Sequence, residues 1–352
     1  MTAAPTISVL ITTRDRPALL QHALASVQRQ TRTDYEVLVC DDAGAPESIP
    51  TLPDFKDGTL RLLRNPSNLG AGLTNRRLYR SARGKYLAHL DDDDMWAPNF
   101  LERMVAVLED HPAVSLVFCN HQVVVGDQAI PDAAQTRQGE RQWGRASLTG
   151  GLQPDLLSLA TIQRAIPTSH AAVVRRDALN LDDWPDWLHG SWDLWVAYLA
   201  AREGRPGYFV PDRLCSYRLH PEQLSMRPTL TRVEDLAVTY QAIWADPRTH
   251  RLGRRLASRV ARAAAYHAVY LSTCGRHLAA RQELRRSLTT SVTLAGALAS
   301  PLLVLPGALA RALTAPAVKV KGRADQARNW LAQGQSRGAV GQIIAGAPSR
   351  ER

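Results

Sequence analysis

The first 120 residues alternate short apolar runs with stretches whose apolar residues recur every three or four positions. Residues 6–12 (TISVLIT) form a β-branched apolar run that is typical of a buried strand. After the turn-forming TRDRP, Leu24 and Val27 lie at helical spacing, and Pro17 suits the first turn of that helix. Residues 35–40 (YEVLVC) form a second apolar run. This order predicts a βαβ unit with two parallel strands.

The same alternation continues to the end of this region. Apolar runs predict further strands at 60–63, 86–90 and 114–119, and helical spacing predicts helices at 70–82 and 99–109. Such alternation is typical of an open, mostly parallel sheet with helices on both faces. We therefore expect an α/β fold.

The pattern is weaker after residue 125. Residues 126–165 mix Gly, Gln, Arg and Pro, and they predict only a weak helix near 152–160. The next expected elements are a strand at 170–174, a helix at 191–204 and a strand at 208–210. Residues 231–285, rich in Ala and Arg, predict long helices.

Charge separates the chain into two parts near residue 230. Residues 231–352 contain 19 Lys and Arg against 6 Asp and Glu, a net charge of +13, whereas residues 1–230 carry a net charge of −3. Residues 287–310 contain no charged side chain, but Pro301 and Pro306 interrupt them. These prolines favour a kinked helix at a membrane surface, or a hairpin, over a straight span. We expect the tail to contact an anionic membrane surface.

Composition excludes several other classes. The basic tail shows no aromatic–basic pattern of a known nucleic-acid-binding module, so we expect no nucleic-acid partner. The four cysteines are scattered, without the paired spacing of a zinc site, and fit a reducing compartment. The N-terminus shows no basic segment followed by a long apolar run. We expect a cytoplasmic protein, peripheral at the inner face of the cell membrane.

Polar and acidic residues follow three predicted strands, at residues 12–15, 41–42 and 91–94. In an open parallel sheet, ligands bind beyond the carboxyl ends of the strands. The four adjacent carboxylates of residues 91–94 repel one another unless a cation compensates them. Magnesium and manganese prefer oxygen ligands and commonly bridge carboxylates to phosphates. The sequence therefore predicts Mn²⁺ or Mg²⁺ at this rim. A solvated acidic turn is the alternative, and the preceding apolar strand argues against it.

Three segments resemble the family 2 glycosyltransferases in order and spacing: TISVLITTRDRPALLQHALASVQRQTRTDYEVLVCDDAG, NPSNLGAGLTNRR and ARGKYLAHLDDDDMWAPNFLERM. The resemblance is strong over residues 6–120, weaker to about residue 225, and does not reach the tail. It implies a Rossmann-like GT-A fold, a nucleoside-diphosphate sugar donor and transfer with inversion at the sugar.

The resemblance also implies roles for single residues. Thr12 and Arg14 match positions that line the nucleobase and ribose, and Asp42 matches a carboxylate that accepts a hydrogen bond from the base. Asp91 and Asp93 match the Asp-x-Asp motif. We expect Asp93 to bind the metal directly and Asp91 to hold the ribose or order the site.

The remaining assignments rest on position and on shorter matches. Thr13 and Asp92 lie at the same strand ends and are assigned to the nucleotide-sugar site. Asn75 matches the Asn of an Ala-Arg-Asn segment in relatives, although Thr74 replaces the Arg. His220, in Tyr-Arg-Leu-His, matches a late signature of the family and is expected to be a second metal ligand or a diphosphate contact.

The catalytic base is the least defined residue. Inverting relatives use a carboxylate, often from a Glu-Asp pair before a Trp-x-Leu-Trp-like helix, to remove the acceptor proton. Here Gly190 and Ser191 stand in place of that pair, before WDLW. Asp193 is the nearest carboxylate and our candidate base, and Asp186 is the alternative. Four nearby tryptophans form either an acceptor platform or core: Trp184, Trp187, Trp192 and Trp195.

We divide the chain into a nucleotide-sugar half (1–120), an acceptor half (121–230) and a basic helical tail (231–352). The acceptor is a glycan, a lipid-linked molecule or a small molecule. A nucleotidyltransferase is disfavoured because TTRDRP lacks glycine. Because the acidic pair is missing, a catalytically inactive nucleotide-sugar-binding protein or membrane scaffold is the competing interpretation.

Overall fold

A ten-stranded sheet forms the centre of the protein in the computed structural model. The structure describes residues 5–50, 55, 60–126, 128–220, 223, 229–303, 305 and 309. The strands and helices of its first part are β1 (Ile7–Thr13), α1 (Pro17–Gln28), β2 (Tyr35–Asp41), β3 (Leu60–Arg64), α2 (Gly70–Ser81), β4 (Tyr86–His89), β5 (Met95–Trp96), α3 (Phe100–Asp110) and β6 (Leu116–Val125).

The second part adds short strands and most of the helices. Its strands are β7 (Ile130–Pro131), β8 (Gly151–Gln153), β9 (Ala172–Arg175) and β10 (Gly207–Leu219). Its helices are α4 (Ala133–Gln142), α5 (Leu156–Ser158), α6 (Trp192–Ala201), α7 (Leu230–Ala245), α8 (Gly253–Thr273), α9 (His277–Thr290) and α10 (Leu294–Ala299).

The main strands run mostly in one direction, in the order β3-β2-β1-β4-β9-β6-β10-β5. β3, β2, β1 and β4 pair in parallel. β9 is antiparallel to both β4 and β6, so β6 and β10 again run in the direction of β4. The expected α/β fold with a mostly parallel sheet is therefore confirmed, with one reversed strand at its centre.

Helices cover both faces of the sheet, which explains the uninterrupted apolar runs. Alternate residues of a strand point to opposite faces. Leu10 and Leu38 accordingly belong to one core cluster, and Val9 and Val37 belong to another.

Two elements of the second part differ from the sequence-based expectation. β10 has 13 residues, whereas the pattern predicts a strand only at 208–210. Pro211 and Asp212 break the apolar run, and the pairing with β6 changes register between Val210 and Cys215. Such a bulge lets a strand continue past residues that interrupt its pattern. The helix expected near 152–160 is also different, because residues 151–153 form β8 and Leu159–Gln163 form a π-helical turn.

The core continues across residue 230, where we place the start of the tail. Tyr240, Ile243, Leu256 and Val260 of α7 and α8 belong to the same cluster as Leu10. The first tail helices therefore pack on the sheet domain itself.

Within the described residues, no helix combines the length and apolar character that crossing a bilayer requires. The uncharged segment 287–310 contains the end of α9, α10 and a 3₁₀ turn at Ser300–Leu303. Pro301 lies in that turn, and Pro306 lies outside the described residues. Residues 311–352 also lie outside them.

Candidate active site

The four aspartates begin where β4 ends. The N–H of Leu90 donates to the Leu10 carbonyl (3.0 Å), and the N–H of Asp91 donates to the Ser169 carbonyl (3.0 Å). The Asp91 side chain is one-third exposed, and the next three aspartates are buried. The aspartate cluster, residues 91–94, is therefore enclosed by protein rather than forming a solvated turn.

Asp92 is held by the last residue of β1 and by a residue of the loop that follows it. Thr13 Oγ1 donates to Asp92 Oδ2 (2.7 Å), and Arg16 Nη1 lies 3.2 Å from Asp92 Oδ1. Burial, and then the charge of Asp93, raise the pKa of Asp92 to about 7 in spite of these contacts. Additional positive charge beside this carboxyl would favour its ionised form.

Asp93 contacts residues that lie far apart in the sequence, Arg16 and His220. Its Oδ2 lies 3.1 Å from Arg16 Nη1 and 3.0 Å from His220 Nε2. Arg218, just before His220, donates from Nε to the Asp93 carbonyl (3.0 Å). The bulged β10 thus brings together Asp93 and His220, the two residues that we expect to bind the metal.

Asp94 is fully buried, and only one of its two carboxylate oxygens accepts a hydrogen bond from the described residues. Its Oδ1 accepts the N–H of Arg218 (2.8 Å), whereas its Oδ2 has no hydrogen-bond partner within the described part of the chain and lies 3.5 Å from His170 Nδ1. Burial, followed by the charges of Asp93 and Asp91, raises the pKa of Asp94 well above its usual range. Burial lowers the pKa of His170 to about 3, so this imidazole is neutral and able to bind a cation.

The cluster has the chemistry of a divalent-cation site. One ligand atom each from Asp91, Asp94 and His170 lie within 4.8 Å of one another. Oxygen donors suit Mg²⁺, and an added imidazole nitrogen suits Mn²⁺. Burial, followed by repulsion between the neighbouring carboxylates, raises the pKa of Asp91, Asp92 and Asp94, and a bound cation would offset both effects. The residues present therefore fit such an ion.

The expected nucleotide-binding residues after β1 differ in exposure. Thr12 is half-buried and Thr13 is buried. Arg14 is exposed and forms an ion pair with Asp15, with 3.5 Å between Nε and Oδ2. Its guanidinium is therefore accessible to a base or ribose, and its role stays a prediction.

Asp42 and Asn75 lie deeper. Asp42 Oδ1 accepts from Asn65 Nδ2 and from the N–H of Leu69 (both 2.8 Å), and its Oδ2 accepts the N–H of Gly70 (2.9 Å). Asp42 thus fixes the start of α2, as its alternative interpretation as a helix cap predicts, and its role in base recognition stays a prediction. Asn75 is fully buried in α2, and its amide has no hydrogen-bond partner among the described residues.

The acceptor side is organised around the first turn of α6. The side chain of Asp193 is about one-third exposed and lies 3.4 Å from Arg164 Nη2. The Asp193 carbonyl accepts a hydrogen bond from Thr168 Oγ1 (2.7 Å). Asp186, the alternative base, is almost fully exposed and pairs with Arg76 at 2.6 Å.

The four tryptophans near α6 divide between the two interpretations. Trp184, Trp192 and Trp195 are buried in the main core cluster. Trp187 is exposed and contacts Trp195 edge to face. Core packing therefore accounts for three of them, and Trp187 is the one that presents a surface to a ligand.

The comparison with protein families covers the chain from β1 to just beyond β9. The sequence model of glycosyl transferase family 2 matches residues 8–181. This chain belongs to that family. The resemblance carried by the three segments in the first 120 residues is thereby confirmed, and the aspartate cluster lies inside the matched region.

A curated relative of this family 2 protein has a defined activity. The enzyme named UDP-Glc:alpha-D-GlcNAc-diphosphoundecaprenol beta-1,3-glucosyltransferase WfgD, from Escherichia coli, is 26% identical over 124 residues. The match covers 35% of this chain and 49% of that enzyme. The chain thus spans about half the length of this relative.

Solved structures confirm the fold. TarS 1–349 of S. aureus, in complex with UDP-GlcNAc, has a TM-score of 0.58 and 15% identity, covering 81% of each chain. The mannosyltransferase PcManGT from Pyrobaculum calidifontis, in complex with GDP-Man and Mn²⁺, has a TM-score of 0.53 and 19% identity, covering 91% of this chain and 88% of that one. The similarity extends beyond the 8–181 match and shows a GT-A fold with its helical C-terminal region.

Sequence reasoning on this family 2 protein missed two residues that contact the aspartate cluster, Arg16 and His170. Arg16, which contacts Asp92 and Asp93, lies in the loop after β1, so the rule that ligands bind beyond strand ends could have included it. His170 precedes the reversed strand β9, and no local pattern relates it to Asp94.

Proposed function

We propose that this family 2 protein transfers a sugar from a nucleoside-diphosphate sugar to an acceptor hydroxyl, with Mn²⁺ or Mg²⁺ at the aspartate cluster and inversion at the sugar carbon. The observation that carries the proposal is the buried set of carboxyls, three of which have a raised pKa. Clustered buried carboxylates are costly unless a cation offsets them. The same cation would also neutralise a diphosphate donor, because magnesium and manganese commonly bridge carboxylates to phosphates.

Each donor-side residue then has a definite task. Asp93 and Asp94, with His170 or His220, would hold the cation, which supplies neutralisation of the charge on the departing diphosphate. Arg16 pairs with Asp92 and Asp93, and its charge favours the ionised form of Asp92. The exposed loop after β1 contacts the nucleoside.

Asp193 is assigned as the general base on the acceptor side. Its partly exposed carboxylate accepts the proton of the acceptor hydroxyl while the oxygen attacks the anomeric carbon. The guanidinium of Arg164, 3.4 Å away, orients the carboxylate. A single displacement of this kind inverts the configuration at the sugar.

The ligands and the acceptor named for the similar proteins support the proposed donor and acceptor classes. UDP-GlcNAc in TarS and GDP-Man with Mn²⁺ in PcManGT are donors of the proposed class. The name of WfgD gives a diphosphoundecaprenol-linked acceptor, which supports a lipid-linked glycan as the acceptor here.

Leu294 and Leu298 project from α10 with more than 70% exposure, and α9 carries Arg285 and Arg286 near its end. We propose that this region docks on an anionic membrane surface at the cytoplasmic face.

Calorimetry with a panel of nucleoside diphosphates and nucleotide sugars, with and without Mn²⁺, tests the donor site. We expect one nucleotide to bind only with the metal, and Asp93→Ala to weaken that binding at least about 100-fold, because outer-shell changes alone cost 10- to 100-fold. Asp177→Ala, at an exposed carboxylate paired with Arg205, is the matched control and should bind normally. Absence of binding by the wild-type protein would sink the proposal. Binding without any sugar transfer would favour the inactive scaffold.

A further inference from the structure

The turn at residues 188–191, which leads into α6, is held from two sides. On one side, the N–H of Gly72 in α2 donates to the His189 carbonyl (2.7 Å). A Cβ added at Gly72 would lie 1.8 Å from the Leu188 carbonyl oxygen, so the backbone of α2 lies directly against the turn. The donor half thus contacts this turn through main-chain atoms.

On the other side, the turn is held by a carboxylate from the tail. Asp235 on α7 accepts the N–H of His189 with Oδ1 (2.7 Å) and the N–H of Ser191 with Oδ2 (2.6 Å). Asp235 is only 4% exposed. A Cβ added at Gly190 would lie 3.6 Å from Asp235 Oδ2, at ordinary contact distance. The tail carboxylate therefore occupies the space toward which a side chain at position 190 would point.

This contact also defines the start of α6. Ser191 is the N-cap of that helix, and its own side chain forms no capping bond. A negative charge at a helix N-terminus is favourable because the first N–H groups lack partners. Asp193 lies in the first turn of the same helix. The Asp235 contact therefore fixes the backbone of the turn that leads directly into the helical turn carrying Asp193.

We propose that Asp235 is a positioning residue for transfer: it supplies, from α7, the carboxylate that the Gly190–Ser191 turn lacks, and it orients Asp193. The inference rests on the proposed function, since it gives Asp235 a role in the same reaction. It assigns a catalytic contribution to the first tail helix, beyond the region that the family model matches.

The variant Asp235→Asn tests this role with little change in volume. An amide can accept only one of the two N–H bonds, and its NH₂ group opposes the other donor. Glu234→Gln, at the neighbouring position on α7, is the matched control. Asp235→Glu keeps two acceptor oxygens, and we expect it to retain part of the activity. This variant provides a second test if Asp235→Asn folds poorly.

The measurements are release of nucleoside diphosphate from the donor found by calorimetry, donor affinity, and amide hydrogen exchange of peptides covering 186–195. For Asp235→Asn we expect kcat to fall about 10- to 100-fold, because small misplacements have effects of this size. Donor affinity should stay within about twofold, since the donor site is intact. Exchange should accelerate in the turn. The double variant with Asp193→Asn should be no slower than Asp193→Asn alone, because the two residues act as one unit.

Two results would overturn the inference: an unchanged kcat with unchanged exchange, or an equal loss of donor affinity, melting temperature and kcat, which indicates a purely structural contact. Failure of the proposed function looks different, since wild-type protein would then bind no nucleotide. In that case the exchange measurement still decides whether Asp235 holds the turn.

Discussion

Two regions to which we assign proposed roles are built in opposite ways: the donor rim at residues 91–94 and the acceptor turn at residues 188–191. The donor rim depends on four consecutive aspartates, residues 91–94, whose position after a buried strand places them at a sheet edge. The acceptor turn at 188–191 has no acidic residue of its own, and it is fixed by Gly72 from α2 and Asp235 from α7. A binding site can therefore be visible as a local motif while the residues that complete its chemistry are supplied by distant elements.

The largest expected effect is a loss of turnover in Asp193→Asn without a loss of donor binding. Asp193→Asn should reduce turnover at least about 100-fold, the usual contribution of a general base, because the amide cannot accept the acceptor proton. Donor binding measured by calorimetry should remain, in contrast to Asp93→Ala. Asp186→Asn, at the exposed alternative, is the control. If Asp186→Asn loses turnover and Asp193→Asn does not, the assignment of the base moves to Asp186.

A second expected effect concerns stability at the contact between the regions. Gly72→Ala should lower the free energy of unfolding by about 3 kcal/mol, because overpacking costs 1–3 kcal/mol and here the obstacle is backbone. Gly139→Ala, in α4, is the matched control: its Cβ would have only His121 Nε2 nearby, at 4.0 Å, so helix propensity should dominate. Denaturant unfolding of both variants checks this. Equal stabilities would mean that α2 and the turn separate easily.

The smallest expected effect is a pH dependence confined to the donor rim. Asp92 has a folded pKa of about 7 against a usual 3.8, so folding takes up a proton. Its contribution to stability without metal is full below about pH 4 and is lost as pH rises through 7. The cation that we propose at Asp93 and Asp94 would favour the ionised form of the adjacent Asp92, so Mn²⁺ affinity should rise by up to about tenfold per pH unit below 7 for each proton released.

Calorimetric titration of Mn²⁺ at pH 5.5, 6.5 and 7.5, with thermal melts in the absence of metal, checks both directions. Asp92→Asn should weaken the pH dependence of both the Mn²⁺ affinity and the melting temperature. A Mn²⁺ affinity independent of pH over this range would contradict the raised pKa.

The sequence by itself determined the order of strands and helices in the first 120 residues, because period-2 and period-3.6 patterns act locally. It also predicted that the aspartates follow a buried strand, and they lie directly after β4, at the carboxyl end of a parallel strand. Ligands commonly bind at that edge of an open parallel sheet. The chemistry of the donor rim follows from four carboxylates at one strand end.

Only the tertiary structure decided which side chains meet. His220 reaches Asp93 because β10 bulges and continues far beyond its apolar run. His170 faces Asp94 because β9 runs against its neighbours. Asp235, counted with the basic tail from sequence, holds the acceptor turn because α7 packs back on the sheet core. The physical reason is common to the three cases: a contact between distant residues depends on strand direction, register and helix packing, and those are fixed by the whole core rather than by the residues beside the site.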